Sequence, residues 1–260
     1  MWSDDSLNGR RVLITAGASG IGLAIVDAFV LAGARVAVCD VSPESLEALA
    51  LRHPIVLVVK ADVSVEAEVE TLFRTIDEEF EGLDVLVNNA GVAGPTGGVE
   101  TVSLADWQRT LSVNITGQFL CTRAAVHRLR AGKSPAIVNM SSSAGHLGMP
   151  GRTPYSASKW AVTGFTKSLA LELGPSGIRV NAVLPGAVEG PRIRSVIAAK
   201  AEALGLPVDE VSHRYTSQAA LGRMVTMNDI ANMVRFACSD LAASVHGQEL
   251  VVDGFTQALN

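Results

Sequence analysis

An α/β architecture, a doubly wound and mostly parallel sheet of seven strands with helices on both faces, is what this sequence predicts. Two observations carry that prediction. Seven short runs rich in Val, Ile and Leu are separated by longer segments whose apolar residues recur every three or four positions. The first of these runs opens through a glycine-rich turn directly into a helical pattern. Strands joined by helical crossovers run parallel, and right-handed crossovers deliver helices to both faces of one sheet.

In chain order the strand runs are RVLIT (11–15), RVAVCD (35–40), IVLVVK (55–60), DVLVNN (84–89), AIVNMS (136–141), IRVNAVL (178–184) and QELVVD (248–253). Each is short and nearly continuous in apolar character, as strands buried on both faces are. Helical spacing fills 20–32, 43–52, 65–80, 104–131, 155–173 and 226–239. Between 185 and 225 the chain makes its one long excursion, with Pro185, Gly186, Gly190, Pro191 and Pro207 as breakers and a short helix expected near 192–204. Residues 186–225 therefore suit a lid over a ligand site. No Pro/Ser tract, charge block or repeat divides the chain, so residues 1–260 are read as a single domain.

Composition narrows the classes of function. Hydrophobic residues make up 48% of the chain, enough for a large core and against disorder. A net charge of −5 argues against a nucleic-acid partner, because duplex binding depends on clustered Lys and Arg. Cys39, Cys121 and Cys238 are far apart, show no metal-ligand spacing and sit among apolar residues, which points to a reducing, cytoplasmic setting. Histidines and carboxylates are scattered, so no metal site is expected. Val12 to Ala34 imitates a membrane span but for Asp27, whose carboxylate costs about 2.5–3.5 kcal/mol at mid-bilayer, and for Gly17, Gly20 and Gly22; no membrane partner is expected. The acidic start MWSDDS is not a basic leader region.

The turn TAGASGIG, Thr15 to Gly22, lets the backbone bend sharply and approach a pyrophosphate, whose charge is favoured by the free N–H groups of the helix that follows. Gly17, Ser19, Gly20, Ile21 and Gly22 are its candidate cofactor residues. A tight turn without a ligand would read the same way if it stood alone. Asp40, 18 residues beyond Gly22 at the end of the second strand, is placed to accept hydrogen bonds from a ribose and to repel a 2′-phosphate. Ala18, Ser19 and Val41 offer no cation to hold such a phosphate, so NAD is expected in preference to NADP. These features make the fold Rossmann-type.

Taken together, the motifs resemble the short-chain dehydrogenase/reductase family over about residues 9 to 254. TAGASGIG is similar to the family's TGxxxGxG turn, ADV (61–63) to its adenine-side Asp motif, and NNAG (88–91) to its strand-end motif. Asn114 in VNITG, Ser142 in VNMSSSAG, Tyr155 and Lys159 in YSASK, and PG (185–186) complete the series. The resemblance adds Asp62, Val63, Asn89, Ala90, Gly91, Pro185, Gly186 and Val188 to the expected cofactor residues, together with Tyr155 and Lys159. The four-residue step from Tyr155 to Lys159 matches the family's ordinary oxidoreductases rather than its enoyl reductases. Two departures stand out. Ala16 occupies the place of the usual first glycine, and Gly190 the place of a Thr that in many relatives bonds the nicotinamide carboxamide.

Hydride exchange with an alcohol carbon needs a group that takes or gives the hydroxyl proton. A phenol titrates near 10, too high for a base at neutral pH, unless a neighbouring cation favours its ionised form. Lys159, one helical turn from Tyr155, is such a cation. Ser142 is expected to hold the substrate oxygen. The resemblance assigns Asn114 to a proton relay through a water beside Lys159 and gives Lys159 a second bond to the nicotinamide ribose. Singly, each residue has a duller explanation in packing or turn formation.

Substrate choice is expected to depend on the loop after Gly91, on 143–153 and on the excursion. These hold His146, Met149, Arg152, Arg192, Arg194, His213, Arg214 and Tyr215, with His146, Arg152 and Arg192 the candidate substrate contacts. An arginine there could pair with a substrate carboxylate or phosphate, although solvated loop arginines are commoner. The expected function is an NAD-dependent oxidoreductase that interconverts a small secondary alcohol and its ketone. A non-catalytic dinucleotide-binding regulator or scaffold is the alternative, and an epimerase or dehydratase a third reading. Ala161, Phe165, Leu169 and Leu173 lie on the helix face away from Tyr155; packing against the core is one reading of them, and the resemblance implies another, a homotetramer or homodimer in which such helices meet.

Overall fold

The computed structural model describes residues 5–259; most of the acidic start and the last residue lie outside them. Seven strands form one sheet in the order β3-β2-β1-β4-β5-β6-β7, every neighbouring pair parallel. They are β1 (Arg11–Thr15), β2 (Arg35–Asp40), β3 (Leu57–Lys60), β4 (Val85–Asn88), β5 (Ala136–Met140), β6 (Arg179–Pro185) and β7 (Glu249–Val252). The sheet is thus wholly rather than mostly parallel.

Alternation along each strand divides the core in two. Val12, Ile14, Val36, Val38, Val85 and Val87 face one layer, with Ile25, Val26 and Phe29 of α1 (Gly20–Leu31) and Ile230 and Val234 of α9 (Met227–Cys238). Leu13, Ala37, Cys39, Leu86 and Ile137 face the other, with Phe73 and Ile76 of α3 (Glu66–Phe80), Cys121 and Ala125 of α5 (Gly117–Leu129), and Leu169 of α6 (Thr153–Leu173). Because both faces are covered, the strands read as unbroken apolar runs rather than alternating ones. Burial pushes the Cys39 thiol up to about 12, as expected of a small core residue.

Four expectations needed correction. The third strand begins at Leu57, because His53 to Val56 form a turn and leave Ile55 exposed. The predicted helix over 104–131 is two helices, α4 (Leu104–Leu111) and α5, joined by a five-residue π turn, Ser112–Thr116, whose wider winding apolar spacing alone does not reveal. The excursion holds two helices, α7 (Pro191–Leu204) and α8 (Val208–Ser217), not one, with Pro207 capping the second. Leu169 and Leu173 pack into the core, with Phe165 against it, so they do not form a free helix face. The remaining helix, α2 (Pro43–Arg52), covers the β2–β3 side and is capped by the Ser42 hydroxyl.

Strand order reverses between β1 and β4, which opens a crevice beyond their carboxyl ends. Thr15, the last residue of β1, ties the two sides together. Its hydroxyl accepts from Asn89 N at 3.0 Å and Ala90 N at 2.9 Å, while Asn89 Nδ2 donates back to Thr15 O at 3.0 Å and Ala16 O at 2.9 Å. At its base the excursion is pinned by a parallel bridge between Val188 and Val225.

Candidate active site

A cavity of about 680 Å³ occupies this crevice. The glycine turn forms one end through Ala16, Ser19, Gly20, Ile21 and Gly22; Asn89, Gly91, Ser142, Tyr155 and Lys159 line the middle, and Arg152, Arg192 and Tyr215 the end beneath the excursion. Pro185, Gly186, Val188 and Gly190 close its side.

The turn suits a pyrophosphate. Ser19 makes no side-chain cap on α1 and no acid occupies the first helical turn, so the N–H donors there are not taken by the protein's own side chains. Gly20 adopts φ 55°, and a Cβ on it would meet nothing within 4 Å. Gly22 has the opposite constraint, since a Cβ there would lie 2.1 Å from Ala16 O and 2.7 Å from Asn89 Nδ2. Ala16 itself takes φ 49°, a left-handed conformation that a glycine would adopt without strain. This accounts for the family's usual glycine there and shows that the turn keeps its winding without one.

Asp40 and Asp62 stand outside the cavity lining, as do Gly17, Val63, Ala90 and Asn114. Asp40 accepts from Ala18 N and Ser42 N, each at 3.2 Å, and so holds the glycine turn against the end of β2. An ionised carboxylate has acceptor capacity beyond those two bonds. Asp62 is occupied by Ser64 and by Arg109 at 3.3 Å; burial pushes its pKa up, but these bonds outweigh it and hold the carboxyl below the usual range.

Tyr155 and Lys159 share one face of α6, with Lys159 Nζ 5.7 Å from the centre of the Tyr155 ring. Lys159 is buried, and its ammonium donates to Met140 O at 2.8 Å, at the end of β5. Burial alone would raise the phenol's pKa. The Lys159 charge, hydrogen bonding from Ser142, and the Arg192 and Arg152 charges oppose it and bring the phenol below its ordinary value. Lys159 is itself lowered, by burial first and by Arg192, despite the favourable Tyr155.

Asn114 sits in the π turn, completely buried. Its Nδ2 donates to Val92 O and Ser158 Oγ, each at 3.0 Å, and its Oδ1 accepts from Val92 N at 2.7 Å. The side chain thereby fixes the loop after β4 against α6. Gly91 lies where the parts converge, since a Cβ on it would come 3.3 Å from Asn114 Oδ1 and 3.5 Å from Lys159 Nζ.

His146 departs from expectation. It stands 3.9 Å from Glu249 and lines a second depression with Arg223, Asp229 and Phe255, away from the main cavity. Its loop turns back toward β7, a direction that sequence distance from Tyr155 does not reveal. Arg192 donates to Gly91 O across the cavity mouth, and Arg152 Nη2 donates to Ala93 O at 2.6 Å. Tyr215 of α8 walls the same end, carried there by the fold of the excursion.

Residues 15–255 match a family model described as enoyl-(acyl carrier protein) reductase. The chain is 39% identical to a 3-alpha-(or 20-beta)-hydroxysteroid dehydrogenase of Mycobacterium bovis, over 97% of this chain and 91% of that protein. This chain belongs to the short-chain dehydrogenase/reductase family. Among other family members, it is 37% identical to a cis-4-hydroxycyclohexanecarboxylate dehydrogenase of Sinomonas cyclohexanicum, over 94% of this chain and 95% of that one. The crystal structure of an NAD+-bound xylitol dehydrogenase superposes with a TM-score of 0.91 at 28% identity, covering 96% of this chain and 99% of that one. These short-chain dehydrogenase/reductase relatives are oxidoreductases acting on alcohols, and among the described residues no helix is long and apolar enough to cross a membrane.

Proposed function

We propose that the protein is an NAD-dependent dehydrogenase that oxidises a small secondary alcohol to its ketone, with Tyr155 as general base. The observation that carries this reading is the pairing of a phenol of lowered pKa with a buried ammonium on one helix face, beside a glycine turn whose N–H donors face the same cavity. Bound along that cavity, the nicotinamide would supply the acceptor for hydride. The protein's own groups do the rest. Ser142 holds the substrate oxygen, Tyr155 takes its proton as the carbinol carbon gives up hydride, and Lys159 keeps the phenol in its ionised form. Asn114 is a positioning residue that fixes Val92 and Ser158 around the reacting groups.

Preference for NAD rests on charge. Asp40 closes β2 with no cation beside it in the turn, and Arg52, which also lines the cavity, is held by Asp27 at 2.6 and 3.1 Å. A 2′-phosphate would meet a carboxylate and no free guanidinium. The excursion acts as a lid, its Arg192 latched to Gly91. Three buried free cysteines suit a cytoplasmic enzyme. Trp160 and Leu171 on α6 and Phe119 on α5 are exposed apolar residues through which copies would join as dimers or tetramers.

The test is NADH formation with a panel of secondary alcohols. A Tyr155→Phe variant should lose about 10³-fold in kcat while still binding NAD, since general base catalysis supplies on the order of 10²–10⁴. Retention of turnover by that variant would remove the mechanism.

A further inference from the structure

Beneath the lid, positive charge accumulates without a partner. Arg152, at the start of α6, is 4% exposed, makes a single hydrogen bond to Ala93 O, and has a buried Nε with no acceptor. Its guanidinium carbon lies 5.1 Å from the centre of the Tyr155 ring. Lys200 of α7 has a buried Nζ with no hydrogen-bond partner, 5.5 Å from the centre of the Tyr215 ring. Tyr215 of α8 is likewise 4% exposed, and its hydroxyl is buried without a partner. Arg192 closes the cluster from the cavity mouth.

The charges that these groups feel are revealing. Arg152 is lowered first by burial, with Tyr155 and Tyr215 opposing and Arg192 reinforcing. Lys200 is lowered by burial, then by Arg152 and Arg214. No carboxylate acts on either, and among the described residues none forms an ion pair with Arg152, Arg192 or Lys200. Two buried cationic groups and an idle hydroxyl, with a third cation at the mouth, cost stability unless an anion joins them. Arg152, Arg192 and Tyr215 all line the cavity that holds Tyr155.

We propose that this end of the cavity is a carboxylate subsite, formed by Arg152 and Tyr215 with Lys200 behind them and Arg192 at the mouth, and that the substrate is accordingly a hydroxy acid. The inference rests on the dehydrogenase reading of the same cavity. A guanidinium fork matches a planar two-oxygen anion, and a tyrosine hydroxyl adds a third donor. Met149, Ile193 and Val196 supply apolar walls for a carbon skeleton. The guanidinium stands over the Tyr155 ring itself, so only a few carbons separate the carboxylate from the reacting carbinol. Phosphates of a dinucleotide are met at the opposite end, by backbone N–H groups.

The probes are 3-hydroxybutanoate, 4-hydroxypentanoate and 3-hydroxycyclohexanecarboxylate, each beside its methyl ester, assayed with NAD and the full chain. At least one acid should exceed its ester in kcat/KM by 10-fold or more. Arg152→Gln should lower that acid-to-ester ratio about 100-fold and Tyr215→Phe about 10-fold, because a buried charge partner is lost in the first and a single donor in the second. Esters and neutral alcohols that match or outperform every acid, or variants that leave the ratio unchanged, would overturn the subsite while leaving the dehydrogenase intact. A protein that reduces no NAD with any alcohol would sink the dehydrogenase reading instead. Binding then tests the subsite separately: cyclohexanecarboxylate should raise the melting temperature of wild type and not of Arg152→Gln, and an absent or equal shift in both would refute it.

Discussion

At the glycine turn the groups that face the cavity are backbone N–H donors of α1, with Ser19 and Gly20 around them, whereas beneath the lid they are the side chains of Arg152, Arg192 and Tyr215. On the proposed reading, both ends receive negative charge. The first does so with fixed dipoles that cost nothing to leave unoccupied, because water reaches them easily. The second does so with a guanidinium, that of Arg152, already removed from water and without an ion-pair partner among the described residues, and with Arg192 exposed at the mouth. Shape therefore decides what binds at one end and charge at the other, and Tyr155 with Lys159 lies between them.

The largest effect that would test this division is at Lys159, whose side-chain charge the proposed mechanism uses. The phenol's lowered pKa means that oxidation should speed up as pH rises and level off at a pH below the ordinary phenol value of about 10. Lys159→Met should move that midpoint upward and reduce kcat/KM at neutral pH about 100-fold, as a pH–rate profile will show. An unmoved midpoint would mean that the ammonium only binds cofactor.

Next in size is Gly22→Ala, which tests the backbone end. Its Cβ would run into Ala16 O, a main-chain atom that cannot swing aside. A loss of about 2 kcal/mol in denaturant unfolding is expected, with weaker NAD binding. Gly164→Ala serves as its control, since a Cβ in that interior turn of α6 meets nothing within 4 Å and should be neutral or stabilising. Equal losses in the two variants would show that the turn is not a fitted cradle.

The smallest change sharpens the comparison. Asp40→Asn keeps an acceptor near the turn but removes its charge, so the ratio of NAD to NADP affinity should fall about 10-fold in titrations of each cofactor. If the ratio stays put, cofactor choice lies elsewhere, with Arg52 the first residue to test.

The same contrast explains what could be read in advance. All seven strands were legible, because parallel strands covered on both faces leave nearly unbroken apolar runs, and the glycine turn was legible because its constraints fall on consecutive residues. Tyr155 and Lys159 were legible because helix geometry fixes four-residue neighbours. Arg152 and Arg192 could be named from the loops that hold them, but Lys200 of α7 and the walling role of Tyr215 of α8 depend on how those two helices fold down, which no local spacing marks out. His146 stands elsewhere because its own loop turns toward Glu249 of β7. The π turn was invisible because apolar periodicity tolerates one extra residue.

That extra residue has a lasting consequence for any attempt to idealise the scaffold. Trimming a single position from Ser112–Thr116 would let α4 and α5 merge into one regular rod, yet would rotate everything downstream by about 100°. Cys121, Ala125 and Leu129 would then swing out of the interior, and Asn114 would release Val92. The irregularity is a spacer that keeps two registers compatible, one serving the interior and the other the reaction centre.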